Sequence, residues 1–206
     1  VFDNGLRSFV MKKSDSPVVT VQAWVETGSA HEGCFLGCGL SHFLEHMLFQ
    51  GTAKYPESAV SDTVSKLGGD INAYTSKGVT VYYITLPAKD CATAIDLIDD
   101  MLRSPAFPQP KFDSEKEVIM RELAMLLDSP DRMLTEYLIR EVFQTHPFRH
   151  PIIGYKEKLE AVTRDMMVQY YSLRYTPSRT FYVVVGDVDP EKTIETLREK
   201  CVSWSM

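Results

Sequence analysis

The chain has 206 residues, 44% of them apolar and 24% charged, which suits one ordinary domain of the soluble globular class with a real core. A net charge of −6, with no basic patch interleaved with aromatics, argues against a nucleic-acid partner. No apolar run approaches the ~20 residues that cross a bilayer, so no membrane association is expected. The sequence opens at Val1 with no charged-then-apolar leader in view, and a processed or trimmed start stays open. Cys34, Cys38, Cys91 and Cys201 read as free, partly buried thiols of a reducing compartment, which favours the cytoplasm over the periplasm.

In chain order, residues 6–12 and 18–28 read as strands around the turn Ser14-Asp15-Ser16-Pro17. A helix follows, in which Leu40, Phe43, Leu44, Met47 and Leu48 recur at helical spacing. Gly37 and Gly39 precede it and Gly51 follows it, marking both ends. Residues 57–67 form a second helix stopped by Gly68-Gly69. Residues 70–75 and 79–86 read as strands joined by a short turn containing Gly78. Residues 90–103 make a helix closed by Ser104-Pro105. A Pro-rich connector over 105–110 leads into a Glu-rich helix ending near Asp128. Helices at 131–143 and 164–174, a β-branched and aromatic strand at 179–188 and a closing helix at 190–201 complete the chain. Clustered strands and grouped helices predict an α+β fold, a two-layer sandwich of a largely antiparallel sheet packed with helices.

The polar stripe of the first helix is the pentad His42-Phe43-Leu44-Glu45-His46. Histidines four apart on a helix lie on one face, one turn above each other, and can offer nitrogens to the same metal ion. Glu45 stands on the same side, where a carboxylate can reach a water beside that ion. The order H-x-x-E-H is that of the inverted zinc-protease motif and points to metal-assisted hydrolysis of a peptide bond. A core-anchored helix is also what a rigid metal site needs. A catalytic zinc takes three protein ligands, so one more must come from elsewhere. The Glu-rich helix is the obvious source: Glu115 and Glu122 are seven apart and share a face, while Glu117 reads as solvated surface. A Cys/His site using Cys34, Cys38 and His42 is disfavoured, because the cysteines are spaced more loosely than C-x-x-C and precede the helix. His31, His146 and His150 have no partner at metal spacing, and loop roles are expected for them.

The run GLSHFLEHMLFQGT at 39–52 resembles the active-site helix of the pitrilysin/insulinase-type metallopeptidases. Glu122 lies 76 residues beyond His46, the spacing at which that family places its third ligand, within the matching run Val118-Ile119-Met120-Arg121-Glu122. The likeness extends through GGDINAYTS at 68–76, VTVYY at 79–83, His146-Pro147-Phe148 with Gly154, and VGDV at 185–188. It implies a Zn2+ endopeptidase with His42, His46 and Glu122 as ligands, Glu45 as general base and Glu115 as a supporting acid. It implies further that Asn72, Ala73 and Tyr74 lie on the strand to which an extended peptide substrate adds, although the Tyr74, Tyr82 and Tyr83 side chains read as sheet packing. Family members pair homologous halves around the peptide, and residues 1–206 match a single zinc-bearing domain, the first half. The expected partners are therefore a homologous C-terminal domain, a separate subunit or a second copy in a homodimer. An isolated half is expected to bind zinc and cleave poorly. Inactive family members, which serve as peptide-binding or assembly subunits, usually lose the pentad or the distal Glu, and this chain keeps both.

Overall fold

The computed structural model describes residues 1–204. Five strands, β1 (Arg7–Lys12), β2 (Val18–Val25), β3 (Asp70–Thr75), β4 (Thr80–Pro87) and β5 (Thr180–Gly186), form one sheet in the order β1-β5-β2-β4-β3. The β1–β5 pair is parallel and the other three pairings are antiparallel. The expected layered architecture with a largely antiparallel sheet is therefore present. The helices are α1 (Leu40–Leu48), α2 (Ala59–Lys66), α3 (Cys91–Arg103), α4 (Gln109–Leu127), α5 (Pro130–Val142), α6 (Lys156–Glu160), α7 (Arg164–Arg174) and α8 (Pro190–Cys201). None among the described residues is long and apolar enough to cross a membrane.

Alternation along the strands divides the sheet into two unlike faces. Val19, Val21, Ala23 and Val25 of β2, Tyr82, Ile84 and Leu86 of β4, and Tyr182 and Val184 of β5 are buried on the inner face. Against them lie α3 beneath β2 and β4, α1 and α2 beside β3, and α8 beside β1. The outer face is half-exposed and aromatic. Trp24 stacks on Phe181 at 5.6 Å, and Phe9 meets Phe181 edge-on at 5.9 Å.

Two features depart from the sequence reading. The turn at 14–17 does not join neighbours, because β5 is inserted between β1 and β2 and pairs with both. The squeeze at the end of β5 leaves no room for a side chain: a Cβ on Gly186 would lie 2.3 Å from the Val18 carbonyl oxygen. The short helix α6 was not anticipated. Five residues are too few to display a helical period.

Candidate metal centre

α1 starts at Leu40 because Gly39, at φ +72°, turns the chain through the left-handed region. A Cβ on Gly39 would meet the Ile153 carbonyl oxygen at 2.2 Å, so glycine also permits close packing against the 153–154 backbone. Leu40, Phe43, Leu44, Met47 and Leu48 are all fully buried. Their anchorage turns the stripe His42, Glu45, His46 outward, half-buried, toward α4.

α4 is seated on α1 through Phe112, whose ring stacks on Phe43 at 4.7 Å. That contact brings Glu115 and Glu122 over the pentad. Glu122 Oε2 lies 3.8 Å from His42 Nε2 and 3.7 Å from His46 Nε2. These three residues form a metal-capable cluster, one ligand atom from each within 4.8 Å of the others. Glu115 Oε2 is 3.2 Å from His46 Nδ1, and its Oε1 accepts a hydrogen bond from Gln50 Nε2 at 3.0 Å. With the Nδ1 proton donated to Glu115, the His46 lone pair is on Nε2, aimed into the cluster. His42 is held neutral: burial, and then the repulsion a proton on the neighbouring His46 ring would add, lower its pKa to about 4. Two imidazole lone pairs and a carboxylate oxygen thus converge with no donor between them, at separations too long for hydrogen bonds. Such an arrangement could hold a cation, and a His2Glu set suits zinc, manganese or cobalt.

The two histidines are supported differently. Glu115 holds the outer nitrogen of His46, whereas His42 Nδ1 is buried without a hydrogen-bond partner among the described residues. Glu45 accepts a hydrogen bond from the Thr75 hydroxyl of β3. Its pKa is raised, chiefly by burial and against the Thr75 bond. A groove of about 550 Å³ runs past His42, Glu45 and Glu122, walled by residues 73–75, Met125, Arg132, Glu136 and Ile153.

The structure brings His42, Glu45, His46, Glu115 and Glu122 together. Asn72, Ala73 and Tyr74 lie on β3, the sheet edge beside them. Ala73 and Tyr74 border the groove, and Asn72 borders a smaller opening with Glu45, His46 and Glu115. Asn72 Oδ1 accepts from the neighbouring Ala73 N–H, and the Tyr74 ring meets Trp24 edge-on at 6.4 Å on the outer face. His31, His146 and His150 stand outside the cluster, with His146 Nδ1 accepting from Phe148 N–H. Glu117 is exposed beside Arg121. Sequence reasoning missed Thr75, Gln50 and Glu32. Glu32 is 2% exposed, and its carboxylate accepts the N–H groups of Gly39 at 3.2 Å and Ser41 at 2.9 Å. Burial pushes its pKa up to about 7 despite those bonds. The only sequence hint was an acidic residue within a glycine-rich approach to the helix.

Residues 8–156 match the model of the insulinase family, peptidase family M16. An uncharacterized zinc protease of Mycobacterium leprae is 33% identical over 180 residues, 87% of this chain and 40% of that protein. A probable mitochondrial-processing peptidase subunit beta of Arabidopsis thaliana is 30% identical over 196 residues, 95% of this chain and 37% of that protein. The crystal structure of a protease from Helicobacter pylori superimposes with a TM-score of 0.89 at 26% identity, covering 98% of this chain and 49% of that one. The chain thus spans less than half the length of each of these proteins, and by its sequence it belongs to the insulinase family of peptidases, family M16.

Proposed function

We propose that residues 1–206 form the zinc-bearing half of an endopeptidase that hydrolyses extended peptides, with His42, His46 and Glu122 as zinc ligands. The observation that carries this reading is the convergence of two imidazole nitrogens and one carboxylate oxygen beside an unpaired sheet edge. Family membership and the zinc-protease relative support it.

Zinc held there would acidify a water and polarise the scissile carbonyl. Glu45 is the general base: it takes the proton of the attacking water and returns it to the leaving amine. Its raised pKa makes it the stronger acceptor for that proton. The Thr75 hydroxyl steadies the carboxylate from the side of β3. Glu115 fixes the ring of His46 through Nδ1, and Gln50 fixes Glu115.

The outer edge of β3 offers backbone donors and acceptors to a peptide adding as a further strand. Asn72, Ala73 and Tyr74 are the residues that such a strand would lie against. Main-chain pairing tolerates many sequences, so extended, unfolded peptides are the favoured substrates. The relatives' greater length supports a homologous second half, joined covalently, supplied as a separate subunit or provided by a second copy. It would close the groove, and the first half alone would turn over slowly.

The test is metal content and peptide hydrolysis for the chain alone and for a version extended by a second half. One zinc per chain is expected, with slow turnover by the chain alone and robust turnover in the extended version. Glu45→Gln should keep the metal and lose about 10²- to 10⁴-fold in rate. Absence of zinc from both versions after reconstitution at neutral pH would sink the ligand assignment.

A further inference from the structure

His42 poses a problem that His46 does not. Metal-ligating histidines ordinarily have the second nitrogen held by an acceptor, which sets the direction of the ring. His46 has Glu115 for this, but His42 Nδ1 has no hydrogen-bond partner among the described residues. Its aim must come from the backbone that carries it. His42 is the third residue of α1, in the first turn, where backbone N–H groups lack partners within the helix. The residue at the cap position, Gly39, has no side chain to accept them. A terminus of this kind frays unless something outside the helix holds it.

Glu32 does so. It comes from the turn preceding α1, is 2% exposed, and receives the N–H groups of Gly39 and Ser41 on its two separate oxygens. Ser41, the immediate neighbour of His42, is fastened a second time: its Oγ lies 2.7 Å from the Tyr170 hydroxyl of α7. The Tyr170 hydroxyl is in turn 3.3 Å from Thr27 Oγ1. A carboxylate at this end also opposes the partial positive charge of the helix terminus. The residue beside the ligand is thus held at its backbone and at its side chain, both times by fully or nearly fully buried groups.

We propose that Glu32 is a positioning residue for the metal: by fixing the first turn of α1 it aims His42 Nε2, replacing the acceptor that His42 Nδ1 lacks. The inference rests on the metal reading of His42, His46 and Glu122.

The probe is Co2+, whose visible absorption reports the geometry of its ligands. The full chain, Glu32→Ala, Glu32→Gln and His42→Ala are titrated with Co2+ at neutral pH, and the metal-free proteins are melted in parallel. Glu32→Ala should bind Co2+ about 10- to 100-fold more weakly than wild type, with a changed absorption band. Glu32→Gln keeps one acceptor oxygen and should fall between the two. If Glu32→Ala does not fold, Glu32→Gln decides alone. Unchanged affinity and spectrum in folded variants, even with lowered melting temperatures, would overturn the proposal and leave Glu32 a structural cap. A wild type that binds no Co2+ would overturn the metal reading and the positioning role with it.

Discussion

α1 and α5 carry apolar residues at helical spacing to very different ends. α1 buries six of its nine residues, and the sheet, α4 and α7 hold it from several sides. α5 buries none of its thirteen. It rests on α4 and on the turn at 147–149, and its Met133, Glu136 and Ile139 are half-buried. It leaves Leu134, Leu138 and Val142 more than 60% exposed along its free side. An apolar stripe tells that a helix wants a neighbour, and only the tertiary structure tells whether this chain supplies one. The residues proposed to act on a peptide bond sit on the helix held everywhere, as geometry set to a fraction of an ångström requires.

The contrast can be broken at its strong end first. Leu44→Ala should cost about 2–5 kcal/mol, the range for a leucine removed from a core that collapses only partly, read by urea unfolding. A cost below about 1 kcal/mol would mean that α1 is less firmly anchored than its burial implies.

The next effect concerns pH. The His42 pKa drops from 6.5 unfolded to about 4 folded. Between these values the unfolded chain binds the extra proton, so stability falls as pH is lowered from 6.5 to 4, by about 3 kcal/mol from this group. Glu32 acts in the opposite sense. Its pKa is raised to about 7, so its contribution declines as pH rises from 4.5 to 7. The informative quantity is therefore the difference between wild type and His42→Gln, both freed of metal by a chelator. That difference should shrink by about 3 kcal/mol between pH 6.5 and 4. A constant difference would show that His42 is not held neutral.

A smaller change should follow Glu115→Gln. Losing the charge that faces His46 Nδ1 is expected to weaken Zn2+ or Co2+ binding by about tenfold or more, measured by competition with a chromogenic chelator. The weakest effect belongs to α5. Leu138→Ala should alter stability by no more than about 0.5 kcal/mol, because its side chain already faces solvent. Hydrogen exchange should rank the helices likewise, with α1 amides among the slowest and α5 amides opening first.

Much of the site was legible before the structure. The pentad declares its own face through the 3.6-residue period, and Glu115 and Glu122 share a face for the same reason. That their face meets the pentad came from family resemblance, since no local pattern ties residue 46 to residue 122. The residues that steady the chemical groups were illegible: Thr75 reaches Glu45, and Gln50 reaches Glu115, only across the packed α1–α4 and α1–β3 contacts. Glu32 carries no mark in the sequence, because burial of a carboxylate leaves no periodic trace. The fold divides in the same way. Strand and helix positions follow from alternation and stop signals, whereas the parallel β1–β5 pairing joins Arg7 to Phe181 and has no local signature.

The insertion of β5 has a consequence for how the chain is made. Residues 7–12 leave the ribosome well before their strand partner, 180–186, is made. At a synthesis rate of about 5–20 residues per second, β1 waits on the order of 10 to 30 s with no strand to pair with. β2 meanwhile has β4 on one side and an open edge on the other. During that interval Phe9 and Met11 belong to an unpaired apolar strand, the type of segment that recruits other chains. A nascent chain stalled before residue 180 should therefore be bound by chaperones more strongly than one released with both β5 and α8 complete.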